Sequence, residues 1–166
     1  MLFRSVYTGF RREQVKADAA GFGFLVPGGE RRNILGSLWT SSVFDGRAPD
    51  GHYLFTTFVG GSRNADICEN SDDELISIAV EELRSILGIE GKPVMTATKR
   101  WKKAIPQYNI GYENVYAAID NFKKDNPEIF LCGNYYKGIS VTDCVKNGAA
   151  TAGEVIDLFG RGENSK

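Results

Sequence analysis

The hydrophobic period of this chain changes once, near residue 71, and that change limits what it can fold into. Before it, apolar residues come in short runs separated by turn residues. Ser5 to Phe10 alternates weakly, as a short strand does, and Phe22 to Val26 is an apolar run closed by Pro27-Gly28-Gly29. Ile34 to Ser42 and His52 to Val59 carry leucine, tryptophan, threonine and phenylalanine at strand density, with Asp45-Gly46 and Pro49-Asp50-Gly51 looping between them. Residues 1–60 therefore read as mostly antiparallel sheet.

Beyond it the period is helical. Ser71-x-x-Glu74 is a capping box, in which the serine oxygen takes the glutamate amide and the glutamate returns to the serine amide. Leu75, Ala79, Leu83 and Ile86 follow on one face and Gly88 supplies the stop, which predicts a helix over Asp72–Leu87. Val94 to Trp101 reads as a strand ended by Ile105-Pro106. Tyr112, Val115, Ile119 and Phe122 mark a second helix stopped before Pro127. Ile129 to Cys132 reads as a short buried strand, and a third helix opens near Ser140 or Val141 and runs to about Leu158. The expected class is α+β: an antiparallel-rich sheet followed by β-α-β-α elements.

With 166 residues the chain is about one domain by length, and no repeat or long linker interrupts it. The net charge of −1 creates no field for nucleic acid or an anionic membrane. Cys68, Cys132 and Cys144 are scattered and odd in number, so they read as reduced thiols, and the lone histidine, His52, speaks against a metal site. No signal peptide opens the chain and no apolar run reaches the roughly 18 residues of a spanning helix, so a cytoplasmic setting is expected.

Chemistry concentrates between Ile129 and Phe159. Gly133 and Gly138 allow backbone geometry and close approach that a Cβ obstructs. The amides opening the next helix lack intrahelical acceptors and sit at the positive end of its dipole, where a phosphate or the electron-rich edge of a ring can rest. Gly148, Ala149, Ala152 and Gly153 give that helix a smooth face. An ordinary strand-to-helix connection with its caps would look the same.

Leu131-Cys132-Gly133-Asn134-Tyr135-Tyr136-Lys137-Gly138-Ile139-Ser140-Val141-Thr142-Asp143-Cys144 resembles the C-terminal flavin-binding signature of the protoporphyrinogen oxidase family, within the flavin amine oxidase superfamily. Four more segments resemble that family in its own order: Gly21 to Pro27, Leu35 to Phe44 with Arg47-Ala48-Pro49, Phe55 to Asn64, and Trp101-x-x-Ala104-Ile105-Pro106-Gln107-Tyr108. Together they span most of the chain.

The resemblance implies FAD as cofactor, a porphyrinogen as substrate, and two segments: residues 1–110 from the substrate domain and 111–166 from the C-terminal part of the FAD-binding domain. Gly133, Asn134, Ile139, Ser140 and Val141 fall where the family contacts FAD, and Trp101 where an aromatic stands beside the flavin ring. Leu25, Leu38 and Phe58 fall where apolar side chains line the tetrapyrrole pocket, although the same three read equally as sheet core. The cluster Lys99, Arg100, Lys102 and Lys103 reads as a solvated strand end. No residue is assigned as a catalytic acid or base. The family's glycine-rich dinucleotide fingerprint is not matched: Gly21-x-Gly23 has Val26 at the last glycine position. The chain is therefore expected to be a C-terminal part, inactive alone, with Leu2-Phe3-Arg4-Ser5 foreign to the family. Peripheral inner-membrane association and homo-oligomerisation are implied for a complete protein. A coproporphyrinogen oxidase of the same family and a non-catalytic binding module are the alternatives.

Overall fold

The computed structural model describes residues 3–62, 64–102 and 105–160. Leu2, Arg63, Lys103 and Ala104 of the segments above lie outside them. Strands β1 (Phe3–Arg11), β2 (Gly23–Leu25), β3 (Ile34–Trp39), β4 (His52–Gly60) and β5 (Met95–Trp101) form one antiparallel sheet in the order β2-β3-β4-β1-β5. Helices are α1 (Thr40–Val43, a single turn), α2 (Asp72–Leu87), α3 (Glu113–Asp125) and α4 (Val141–Gly160). The class is α+β. The chain divides into two units, Met1–Ala104 and Ile105–Lys166, so Ile105 to Ile110 go with the second unit rather than the first.

In the first unit α2 covers one sheet face. Its Ser71–Glu74 capping box is formed in both directions and Gly88 ends it in the left-handed conformation. Successive strand residues point to opposite faces, so β1 sends Val6, Thr8 and Phe10 toward α2, and β4 sends Phe55, Thr57 and Val59 there by pairing. Val6, Phe10, Phe55, Val59, Leu75, Ala79 and Leu83 are all fully buried, which makes the sheet–helix layer the core of this unit.

Three expectations change here. Phe3-Arg4-Ser5 is part of β1, not a foreign leader: the Arg4 guanidinium is buried, donating to the Cys68 carbonyl at 3.1 Å and to Asp72 at 2.9 Å. The strand expected at Ser5–Phe10 is longer, nine residues from Phe3 to Arg11, and lies between β4 and β5. Third, the strand expected to reach Ser42 stops at Trp39. Three hydroxyls divert the backbone there: Thr40 bonds the Thr56 hydroxyl at 2.6 Å, Ser41 accepts the Leu54 amide, and Ser42 donates to the Ala19 carbonyl.

The second unit is helical, and the buried strand expected at Ile129 to Cys132 does not form. Residues 129–132 join no strand ladder among the described residues, and Ile129 and Cys132 are exposed. The Ile129 amide turns back to the Asn126 carbonyl at 3.0 Å instead of entering a ladder, and apolar composition alone supplies no pairing strand. Ile119 and Tyr136 are the unit's buried hydrophobic residues among those described, and α4 buries none. Among the described residues no helix is long and apolar enough to cross a membrane, and no cluster of His, Cys, Asp or Glu could hold a metal.

Candidate functional site

The loop Gly133 to Ser140 is held from below by tyrosines. Tyr108 donates its hydroxyl hydrogen to the Asn134 carbonyl at 3.0 Å and accepts the Gly138 amide at 3.1 Å. Tyr112 donates to the Tyr135 carbonyl at 2.8 Å, and Tyr136 donates to Asp120 on α3. The rings of Tyr108, Tyr112, Tyr116 and Tyr136 pack on one another at 4.4–6.2 Å between centroids. Sequence reading missed this scaffold. Its signal was the recurrence of tyrosine at 108, 112 and 116, although only Tyr116 lies within α3, with Tyr112 at its N-cap and Tyr108 in the preceding loop.

Ser140 caps α4 with Asp143: the serine hydroxyl accepts the Asp143 amide at 3.0 Å, while the Asp143 carboxylate accepts the Ser140 amide and hydroxyl. The two glycines serve this local geometry first. Gly138 has φ of 129°, and a Cβ there would stand 2.5 Å from the Asp143 carboxyl carbon. At Gly133 a Cβ would stand 2.7 Å from the Tyr135 ring. What remains open at the helix start is small and mixed. The Val141 and Thr142 amides have no acceptor among the described residues, and the apolar side chains of Ile139 and Val141 are exposed beside them.

The Ser140 hydroxyl, and then its amide, hold the Asp143 carboxyl below its ordinary value. A carboxyl depressed in the folded state stabilises above its unfolded pKa, and that contribution disappears as pH falls through the lower folded value. Acidification through the lowered Asp143 value should therefore loosen the first turn of α4, with the Ser140 amide resonance shifting as the bond is lost. Asp143→Asn should remove that pH response; a Ser140 resonance that does not move as the Asp143 carboxyl itself is titrated in the unsubstituted chain would contradict it.

The remaining candidates belong to the first unit. Leu38 pairs with Gly23 and Thr56, Leu25 with Gly36, and Phe58 with Gly36 and Ser5. Directly paired residues share a face, so Leu25, Leu38 and Phe58 all stand on the sheet face opposite α2. Leu25 is 84% exposed and none of the three is in the core, so the sheet-core reading of them fails. Trp101 pairs with Phe3 on the same face, and a row of rings runs Phe58, Phe3, Trp101 with centroids 6.0 and 6.2 Å apart. The Trp101 indole N–H donates to the Ser5 hydroxyl at 3.1 Å. Close approach keeps the leucine strands together: a Cβ on Gly23 would lie 2.1 Å from the Ser37 carbonyl oxygen. In the basic cluster, Arg100 pairs with Glu69 and donates to the Cys68 carbonyl, and Lys99 lies over Trp101, as a strand end does.

Residues 4–156 match the family model described as flavin containing amine oxidoreductase. The chain belongs to this family. The mitochondrial protoporphyrinogen oxidase of Nicotiana tabacum is 42% identical over 93% of the chain, and the coproporphyrinogen III oxidase of Bacillus subtilis (strain 168) is 27% identical over 92%. A solved structure from Exiguobacterium sp. 255-15 shares the fold with a TM-score of 0.77 at 21% identity, covering 94% of this chain and 35% of that one. The chain spans about a third of the length of these curated relatives, 31% and 33%.

The cofactor of this flavin amine oxidoreductase is accordingly a flavin, FAD. The α4 start fits one edge of that group. Two open amides at the positive end of the helix suit ring carbonyl oxygens, and exposed Ile139 and Val141 suit the flat apolar part of the ring. The Asp143 carboxylate at the same end makes it a poorer seat for a phosphate.

Proposed function

We propose that the chain is the C-terminal part of an FAD-dependent oxidase that converts protoporphyrinogen IX to protoporphyrin IX in haem synthesis. The bound flavin would supply the redox chemistry, taking hydride from the porphyrinogen with oxygen as final acceptor. The chain's own residues bind and orient. Residues 1–110 serve the substrate and 111–166 the flavin. Gly133, Asn134, Ile139, Ser140 and Val141 meet the flavin edge and Trp101 stands near its ring. Leu25, Leu38 and Phe58 form an apolar wall for the macrocycle. The observation that carries this reading is the register, which sets all three wall residues on the sheet face opposite α2 together with Trp101, with Leu25 and Trp101 exposed there. A flat macrocycle needs such a wall, with few polar contacts.

No side chain at these positions is a proton-transfer group, so none is given that role. The partners in this reading are the porphyrinogen and a second copy of the protein, not nucleic acid. The setting is cytoplasmic with peripheral contact at the inner membrane. Coproporphyrinogen III is the second substrate, favoured by the similarity to the Bacillus subtilis enzyme named for it.

Titration of the chain with protoporphyrin IX, followed by its Soret band, tests the wall. Leu25→Asp and Phe58→Asp place a carboxylate against the macrocycle and should each weaken binding about tenfold or more, since a charge left in an apolar contact is not compensated. Unchanged affinity in both variants, or no porphyrin binding by the unsubstituted chain, would sink the reading.

A further inference from the structure

The aromatic row on the wall face does not stop at Phe58. It crosses β1 to β5, and the register gives each member its neighbours: Ser5 stands between Phe58 and Lys99, and Phe3 between Gly60 and Trp101. Ser5 is thus a hydroxyl set among rings. It is only 3% exposed, whereas Trp101 is 39% exposed. The Trp101 indole N–H nevertheless donates to the Ser5 hydroxyl at 3.1 Å. Ser5 is the diagonal neighbour of Trp101 and not its direct partner, so the indole leans back along the sheet to make the bond.

Water can satisfy an indole N–H at that exposure, so the bond is not needed to bury the group. What the bond does is fix the ring. A tryptophan is oriented by two side-chain torsions, and an anchor on the indole nitrogen removes that freedom. Phe3 stacks on the same ring at 6.2 Å with 26° between the planes, and the Lys99 Nζ lies 5.6 Å from its centroid. The ring is held by three contacts and still leaves more than a third of its surface open. A side chain ordered in advance spares a ligand the cost of ordering it on binding.

We infer that Trp101 is a contact for the flat macrocycle at the β5 end of the wall, and that Ser5 is the positioning residue that fixes its indole. The inference rests on the macrocycle reading given above. Hydride transfer brings the reacting atoms of two rings to about 3–3.5 Å, so a residue beside the flavin also borders the porphyrinogen.

A double-mutant cycle read by titration with protoporphyrin IX tests this. Ser5→Ala and Trp101→Phe should each weaken binding about three- to tenfold, the scale of one hydrogen bond. The double substitution should weaken it no further than Trp101→Phe alone, since phenylalanine has no N–H to hold. With Trp39→Phe in the background Trp101 is the only tryptophan, and Ser5→Ala should lower its emission anisotropy. A serine that serves only the strand would weaken binding by the same factor with either ring at position 101, or would leave the anisotropy unmoved; either result overturns the positioning role. Trp101→Phe lies at an exposed position, so it tests the contact even where Ser5→Ala does not fold, and unchanged affinity in it overturns that contact. If Phe58→Asp weakens binding while Ser5→Ala and Trp101→Phe change nothing, the wall stands and this assignment falls. If the unsubstituted chain binds no porphyrin, both fall.

Discussion

Phe55→Ala should destabilise the sheet unit by about 3–5 kcal/mol, the usual range for emptying a large aromatic from a core. Phe55 is fully buried at the centre of the layer between β4 and α2, with Phe10 and Tyr53 as ring neighbours at 6.2 and 6.0 Å. α2 and the sheet are both fixed by the helix ladder and strand pairing, so neither can collapse far into the void. For a unit of this size that loss lowers the melting temperature by roughly 12 °C or more. Both tryptophans, Trp39 and Trp101, lie in this unit, so their emission follows its unfolding alone. Leu25→Ala is the matched comparison. It removes an apolar side chain of similar kind from the opposite face, where Leu25 is 84% exposed, and should change stability by no more than about 0.5 kcal/mol. Equal losses in the two variants would mean that Leu25 is packed as Phe55 is and does not stand exposed on the opposite face.

FAD should bind this chain weakly or not at all, although the chain holds the loop that meets one edge of the flavin. Two open amides at the α4 start and the exposed pair Ile139 and Val141 are the contacts on offer. A hydrogen bond to a charged group contributes only about 1.5–3 kcal/mol, and neutral ones about 1 kcal/mol. Immobilising a ligand costs roughly 4–15 kcal/mol in lost translation and rotation, so a few such contacts leave little surplus. The fit at this end is to a ring edge, and the Asp143 carboxylate opposes the pyrophosphate. Calorimetric titration should return a dissociation constant no tighter than about a millimolar to tens of micromolar, the range that a surplus of a few kcal/mol allows. Stoichiometric sub-micromolar binding, or porphyrinogen oxidation by this chain alone, would show instead a self-sufficient flavoprotein.

Local rules were enough for much of the fold. The Asp72–Leu87 helix has the bounds that its capping box, its stripe of Leu75, Ala79 and Leu83, and Gly88 require, because those signals act within a few residues of one another. The strands at His52–Gly60 and Met95–Trp101 and the start of α4 at Val141 were likewise legible from composition and caps. The family, and with it the flavin, was carried by ordered motifs rather than by any periodicity.

What the sequence could not fix was whatever depends on a partner far along the chain. Phe3-Arg4-Ser5 looked foreign until pairing with Gly60, Val59 and Phe58 made it strand and Asp72 took up the Arg4 charge. Ile34 to Ser42 looked like one strand, but the hydroxyls of Thr40, Ser41 and Ser42 found bonds to Thr56, Leu54 and Ala19 that ended it at Trp39. Ile129 to Cys132 had the composition of a buried strand and found no ladder. The face of Leu25, Leu38 and Phe58 was undecidable for the same reason. A shift of one residue in register sends a side chain to the other side of the sheet, and register is settled only when strands distant in sequence pair.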